Sequence, residues 1–261
     1  MDLGLKDKVA LVTGAGSQTG FGKGIALTLA KEGCNVIVVD KDLEGAKKTA
    51  AEIEASGHKA IALQADVTKS AEVNNAVKAA LAKFGRIDIL VNNAGQSTPP
   101  KPFVQKTEAE WDPDIDINLR SVFICTKAVL PQMLERKSGK IINTSSGVGT
   151  MGLANSSIYS AAKAGVIAFT KSLAKEVIAS GVNVNSVSPG LGDTGFLRSS
   201  KVLKTAETPP EFIIHVSMDI PAGRMTTPQD IGNMVAFLAS DVSSDIVGQT
   251  FDVDGGKIIK F

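Results

Sequence analysis

Cysteine is scarce in this sequence of 261 residues: Cys34 and Cys125 are too few and too far apart for a disulfide framework or a zinc cluster. Histidine is equally rare, and His58 and His215 have no partner at a metal-ligand spacing. One tryptophan and one tyrosine are present. No sign of charge dominates: the formal net charge is +1, which leaves no electrostatic footprint for nucleic acid. No apolar run approaches the ~20 residues that span a bilayer, and Met1–Lys6 lacks a secretory apolar region. The expectation is a cytoplasmic protein with neither membrane nor nucleic-acid partners and no bound metal.

What the sequence does hold is an alternation. Short β-branched runs (Val9–Thr13, Asn35–Asp40, Ala60–Gln64, Ile87–Asn92, Lys140–Ser145, Val182–Ser188, Thr250–Val253) are separated by longer segments of helical period. Those segments are Gly22–Glu32, Leu43–Ser56, Ser70–Phe84, Ser121–Arg136, Ser157–Ala179 and Pro228–Ser240. Strands apolar on both faces belong to parallel sheets covered by helices on each side. Seven such strands predict an α/β fold, one doubly wound Rossmann-like domain over residues 1–261.

The first run leads into Gly14-Ala15-Gly16-Ser17-Gln18-Thr19-Gly20-Phe21-Gly22 and then a helix. Glycines let backbone approach a pyrophosphate, and a helix N-terminus favours its charge. Asp40 closes the second run 26 residues after Gly14, where a carboxylate can accept from both hydroxyls of an adenosine ribose and repel a 2′-phosphate. That predicts NAD rather than NADP. Lys41 beside it softens the discrimination, and Asp40 could instead cap the turn that follows.

Several motifs together resemble the short-chain dehydrogenase/reductase family. They are Asn92-Asn93-Ala94-Gly95, Asn118, Ser146, Tyr159-Ser160-Ala161-Ala162-Lys163, and Pro189-Gly190 with Thr194 beyond. The resemblance implies strand order 3-2-1-4-5-6-7, a catalytic tetrad of Asn118, Ser146, Tyr159 and Lys163, and a homotetramer. It also implies a cofactor site of Gly14, Ser17, Gln18, Gly20, Phe21, Gly22, Asp40, Asp66, Val67, Asn93, Ala94, Gly95, Tyr159, Lys163, Pro189, Gly190 and Thr194. The residues support the chemistry directly. Tyr159 and Lys163 stand four apart, on one helix face. An ammonium there would favour phenolate and lower a pKa that is otherwise near 10. Tyr159 then exchanges a proton with an alcohol, Ser146 donates to the carbonyl oxygen, and Asn118 orders a proton path from Lys163 to solvent.

The glycine loop departs from the family's larger branch. Five residues separate Gly14 from Gly20, two more than usual, a length that resembles the divergent enoyl-thioester reductases. Those enzymes space their tyrosine and lysine differently. Gln96, Ser97, Val148, Met151, Leu153, Leu191, Gly192 and Phe196 are candidates to contact substrate, with residues 195–220 as a lid. Val253-Asp254-Gly255-Gly256 reads as structural and interfacial. The leading expectation is an NAD-dependent oxidoreductase interconverting a small secondary, even cyclic, alcohol and its ketone. The alternative is a 3-oxoacyl-thioester reductase acting on carrier protein or coenzyme A. Lys137 would then meet the carrier, while Ser180 fills a second position where a base is usual. A non-catalytic dinucleotide-binding scaffold is the third.

Overall fold

Alternate residues of each strand feed opposite faces, so an apolar run becomes the spine of two cores. In the computed structural model, which describes residues 2–195 and 218–258, the strands are β1 (Val9–Thr13), β2 (Asn35–Asp40), β3 (Ala60–Gln64), β4 (Ile89–Asn92), β5 (Gly139–Thr144), β6 (Val182–Pro189) and β7 (Thr250–Val253). They form one sheet in the order β3-β2-β1-β4-β5-β6-β7, parallel throughout. The expected order is therefore the observed one. Ala10, Val12, Val36 and Val38 face the core beneath α1 (Phe21–Lys31), α2 (Leu43–Ala55) and a helix at Pro228–Ala239. Val9, Leu11, Ile37 and Val39 face the other core, beneath α3 (Ser70–Phe84), α5 (Ser121–Arg136) and α7 (Ser157–Val177). Two short helices, α4 (Asp112–Ile115) and α6 (Val148–Met151), come between, which makes Pro228–Ala239 α8.

Two departures from expectation have physical causes. β4 opens at Ile89 rather than Ile87, because Asp88 turns its carboxylate inward. Asp88 accepts from the Val9 amide at 2.9 Å, Arg86 at 2.9 Å and Arg136 at 2.8 Å. Those bonds clamp the entry edge of β1 and β4, far from any ligand. β6 is buried along its whole length although half of it is polar. Asn185 explains how: it donates to Asn183 Oδ1 at 2.9 Å and the Ile246 carbonyl at 2.7 Å, and accepts from the Gln249 amide at 2.9 Å. Buried amides that are satisfied in this way cost little.

Because all strands run the same way, their C-terminal ends share one edge of the sheet. Loops leaving that edge between strands of reversed connection open a crevice, the usual ligand position in such sheets.

Candidate active site

A cavity of about 650 Å³ lies along that edge. Its floor is the glycine loop. Gly14 adopts φ +67°, and a Cβ there would stand 2.7 Å from Ala94 Cα, so the loop and the Asn93–Gly95 segment meet backbone to backbone. A Cβ on Gly22 would run into the Gly14 carbonyl. These contacts draw Gly20, Phe21 and Gly22 to the cavity wall. The N-cap of α1, Gly20, supplies no side-chain hydrogen bond. The first amides of this helix of 11 residues thus have no partner from the N-cap residue among the described residues, a fit for a pyrophosphate.

Asp40 lies at the end of β2 on the same wall, with Lys41. Its carboxylate accepts from the Gly16 amide at 2.8 Å and the Asp42 amide at 3.0 Å. Gly16 was not among the expected site residues, yet it seats Asp40: a Cβ there would approach Asp40 Cγ to 2.8 Å. The cap of α2 is Asp42, which accepts from the Gly45 amide, so Asp40 is not the cap residue. Asp66 and Val67 follow along the wall. Burial pushes the Asp66 carboxyl up, but hydrogen bonds from Thr68 and the charges of Lys69 and Lys41 outweigh it and hold it below the ordinary range.

Gln18 is a correction. It turns away from the cavity and donates to the Gly16 carbonyl at 2.8 Å and the Gly45 carbonyl at 3.1 Å. The two additional loop residues explain this, because a longer loop needs an anchor and α2 provides it. Ser17 stays on the cavity wall, and Thr19 Oγ1 accepts from the Gly195 amide at 3.0 Å.

At the other end Ser146, Tyr159 and Lys163 converge on the cavity. β5 delivers Ser146 just past its last residue, and α7 presents Tyr159 and Lys163 one turn apart. Ser146 hydrogen-bonds Tyr159. The Lys163 ammonium lies 5.8 Å from the Tyr159 ring centre and donates to the Thr144 carbonyl at 2.9 Å. The predicted acid phenol is not found. Burial pushes Tyr159 up to about 12, against the Ser146 hydrogen bond and with help from Asp114. Burial also lowers Lys163 to about 8. Burial thus acts on both groups in the same sense, against the charged form of each.

Asn118 sits behind the wall rather than in it, fully buried within a π-helical turn, Asp116–Arg120. It donates to the Gln96 carbonyl at 2.6 Å and the Asp114 carbonyl at 2.9 Å, and accepts from the Gln96 amide at 3.3 Å. A π turn of this kind is common at functional sites. Here it holds the Gly95–Gln96 backbone beside Lys163.

Among the other expected residues, Asn93, Ala94, Gly95, Gln96, Ser97, Val148, Met151, Leu153, Pro189, Gly190, Leu191, Gly192 and Thr194 all line the cavity. Phe196, most of the lid at 195–220 and His215 lie outside the described residues. Sequence reading missed Pro100, Ile117, Thr144, Lys257 and Ile258, which line it too. Asp254, expected to be interfacial, also reaches the cavity. Nothing in the spacing of Asp254-Gly255-Gly256 signals that it returns over Ser146. Outside the cavity lining, Phe103 stacks on Trp111 with ring centres 5.9 Å apart.

Lys137 and Ser180 sit at the opposite edge of the sheet. Lys137 follows α5 just before β5, and a Cβ on Gly181, just before β6, would meet the Lys137 carbonyl. A carrier touching Lys137 is therefore at the far end from Ser146 of the same chain.

Known proteins share this arrangement. The family model described as enoyl-(acyl carrier protein) reductase matches residues 14–257. A 3-oxoacyl-[acyl-carrier-protein] reductase of Synechocystis is 44% identical over 98% of both chains. A subunit of (2S)-[(R)-hydroxy(phenyl)methyl]succinyl-CoA dehydrogenase from Thauera aromatica is 39% identical, again over 98% of both. Among solved structures, a 3-ketoacyl-(acyl-carrier-protein) reductase from Brucella melitensis complexed with NADH superposes with a TM-score of 0.89 at 37% identity, covering 98% of this chain and 100% of that one. With this fold, this site and these relatives, the chain belongs to the short-chain dehydrogenase/reductase family of oxidoreductases.

Proposed function

We propose that the protein interconverts a 3-oxoacyl thioester and the matching 3-hydroxyacyl thioester, with NAD(H) as coenzyme. The expected small or cyclic alcohol gives way to its alternative, because the relatives named above act on acyl thioesters. The observation that carries the reading is the convergence of Ser146, Tyr159 and Lys163 on one cavity that also holds the glycine loop.

The chemistry follows from the groups. A nicotinamide dinucleotide bound along the cavity supplies or accepts the hydride. Ser146 donates a hydrogen bond to the substrate carbonyl oxygen and stabilises the charge that develops there. Tyr159 O–H, a phenol that is protonated at neutral pH and whose proton burial holds more tightly still, is the acid in the reducing direction. Lys163 compensates the phenolate left behind. Asn118 keeps the Gly95–Gln96 backbone in register with that ammonium. Asp40, on the wall at the end of β2, supports NAD(H) over NADP(H), since an adenosine 2′-phosphate would meet its charge.

The proposed assembly is a homotetramer with α5 and α7 in one interface and β7 in another. Phe123 on α5 packs against Phe169 on α7 at 4.8 Å with Phe123 exposed, and β7 pairs only with β6. Sedimentation that returns a monomer would overturn this.

The test of the reaction is oxidation of NADH, followed by its absorbance, with 3-oxoacyl thioesters of N-acetylcysteamine, coenzyme A and carrier protein set beside cyclic ketones. Higher kcat/KM for any thioester class than for the ketones is expected. Faster turnover of cyclic ketones would overturn the thioester reading.

A further inference from the structure

The segment following β7 is built as a rigid wall. Asp254 is buried, and its two carboxylate oxygens accept from the amides of Gly256 at 2.9 Å and Ile258 at 2.8 Å. Gly255 and Gly256 take φ +69° and +85°, which turns the chain back on itself in two residues. Lys257 then fastens the turn to its surroundings by donating to the Asp219 carbonyl at 3.0 Å. The outcome is that Ile258 is carried over the start of the loop after β5. Its Cδ1 occupies the space into which a Cβ on Gly147 would project, one residue beyond Ser146. Ile258 lines the cavity there.

Other apolar side chains of the cavity are more exposed. Met151 and Leu153 line it as well and are 59% and 51% exposed. Both can swing toward solvent to admit a larger ligand, and a methionine adapts its shape readily. Ile258 has less room to move: it is only partly exposed, its branching at Cβ stiffens χ1, and its Cδ1 lies against Gly147. Among the described residues, Ile258 is therefore the firmer limit on the bulk that a substrate carries beside its reacting carbonyl.

We propose that Ile258 is a specificity-determining residue, the fixed stop that sets how large an acyl substituent fits next to Ser146, and that Asp254 is the residue that positions it. The inference rests on the thioester reading given above. Removing buried bulk from an apolar pocket changes discrimination between neighbouring substrates by tens of fold. Ile258→Ala should raise the ratio of kcat/KM for a 3-oxodecanoyl over a 3-oxobutanoyl thioester by at least about tenfold, and Ile258→Phe should lower it. Asp254→Asn, which keeps the side chain's shape and one acceptor oxygen, should move the ratio in the direction of Ile258→Ala but by less.

The experiment measures both ratios in the full chain with NADH and, separately, the NADH dissociation constant by fluorescence. The expected result is a shifted ratio with a dissociation constant within about twofold of the parent's, since Ile258 lies at the substrate end. An unshifted ratio in both Ile258 variants overturns the proposal. Should either variant fail to bind NADH, Ile258→Val carries the same comparison with a smaller amplitude. If the parent protein turns over no thioester, the functional reading fails, and the same variants on small and bulky cyclic ketones decide whether Ile258 sets size.

Discussion

Gly16 donates its amide to Asp40 at 2.8 Å, so the residue expected to choose the coenzyme is held by the loop expected to bind its phosphates. The two functions share one hydrogen bond. Replacing Gly16 with alanine would place a Cβ 2.8 Å from Asp40 Cγ and displace the carboxylate.

For Asp40 itself, the prediction is a change of coenzyme. Asp40→Ser removes the charge opposed to a 2′-phosphate and leaves Lys41 on the same wall. Affinity for NADPH relative to NADH should rise about tenfold or more, which corresponds to about 1.4 kcal/mol. Titration of each reduced coenzyme by fluorescence checks it. An unchanged ratio would mean that Asp40 does not face the ribose.

Gly16→Ala should weaken NADH as well, by about tenfold, a cost typical of forcing one extra carbon into a packed position. Thermal unfolding of the same variant should remain cooperative, because the clash is confined to the loop. NADH affinity equal to the parent's would show that the loop relaxes freely.

Tyr159→Phe should lower turnover at least about 100-fold while leaving the NADH dissociation constant within a few-fold, as expected for loss of an acid/base group. Near-normal turnover would remove Tyr159 from the proton path.

Lys163 carries a pH signature. Burial lowers it from 10.5 to about 8, so between those values the unfolded chain holds a proton that the folded chain has released. Stability contributed by this group therefore rises with pH across that window and is least below about 8. Lys163→Met should remove the rise. Its stability relative to the parent should be higher near neutral pH by an amount on the order of 3 kcal/mol, shrinking toward zero as pH approaches 10.5. Urea unfolding at several pH values measures the difference, and a difference independent of pH would contradict it. Tyr159 works the other way, being raised to about 12, and lowers stability only above about 10.

Asp88 tests the scaffold instead of the site. Asp88→Ala removes the carboxylate partner of the Val9 amide, Arg86 and Arg136 at once. The expected loss is about 3 kcal/mol in urea unfolding, with coenzyme affinity nearly unchanged. Loss of coenzyme affinity without loss of stability would give Asp88 a different role.

The sheet was legible because β-branched runs and helical segments differ in period, and nearly every strand begins or ends within two residues of its expected place. The same holds for the glycine loop, Ser146, Tyr159 and Lys163, whose spacing is local. What spacing could not convey were meetings between distant segments. Gln18 looked like any loop residue until Gly45 of α2 appeared beside it. Asp254 and Ile258 come to the cavity, Ile258 against Gly147, because β7 lies two places from β5 in the sheet. The ionisation of Tyr159 escaped for another reason: a pair on one helix face advertises attraction, whereas burial depends on everything around it. The choice of substrate class was not legible either, because a tetrad describes the reacting carbon and not what is attached to it.

Trp111, stacked on Phe103, is the sole indole of the chain. Its emission thus reports on one place alone. Reduced nicotinamide absorbs where tryptophan emits, so energy transfer from that ring offers an optical gauge of coenzyme arrival without any added dye.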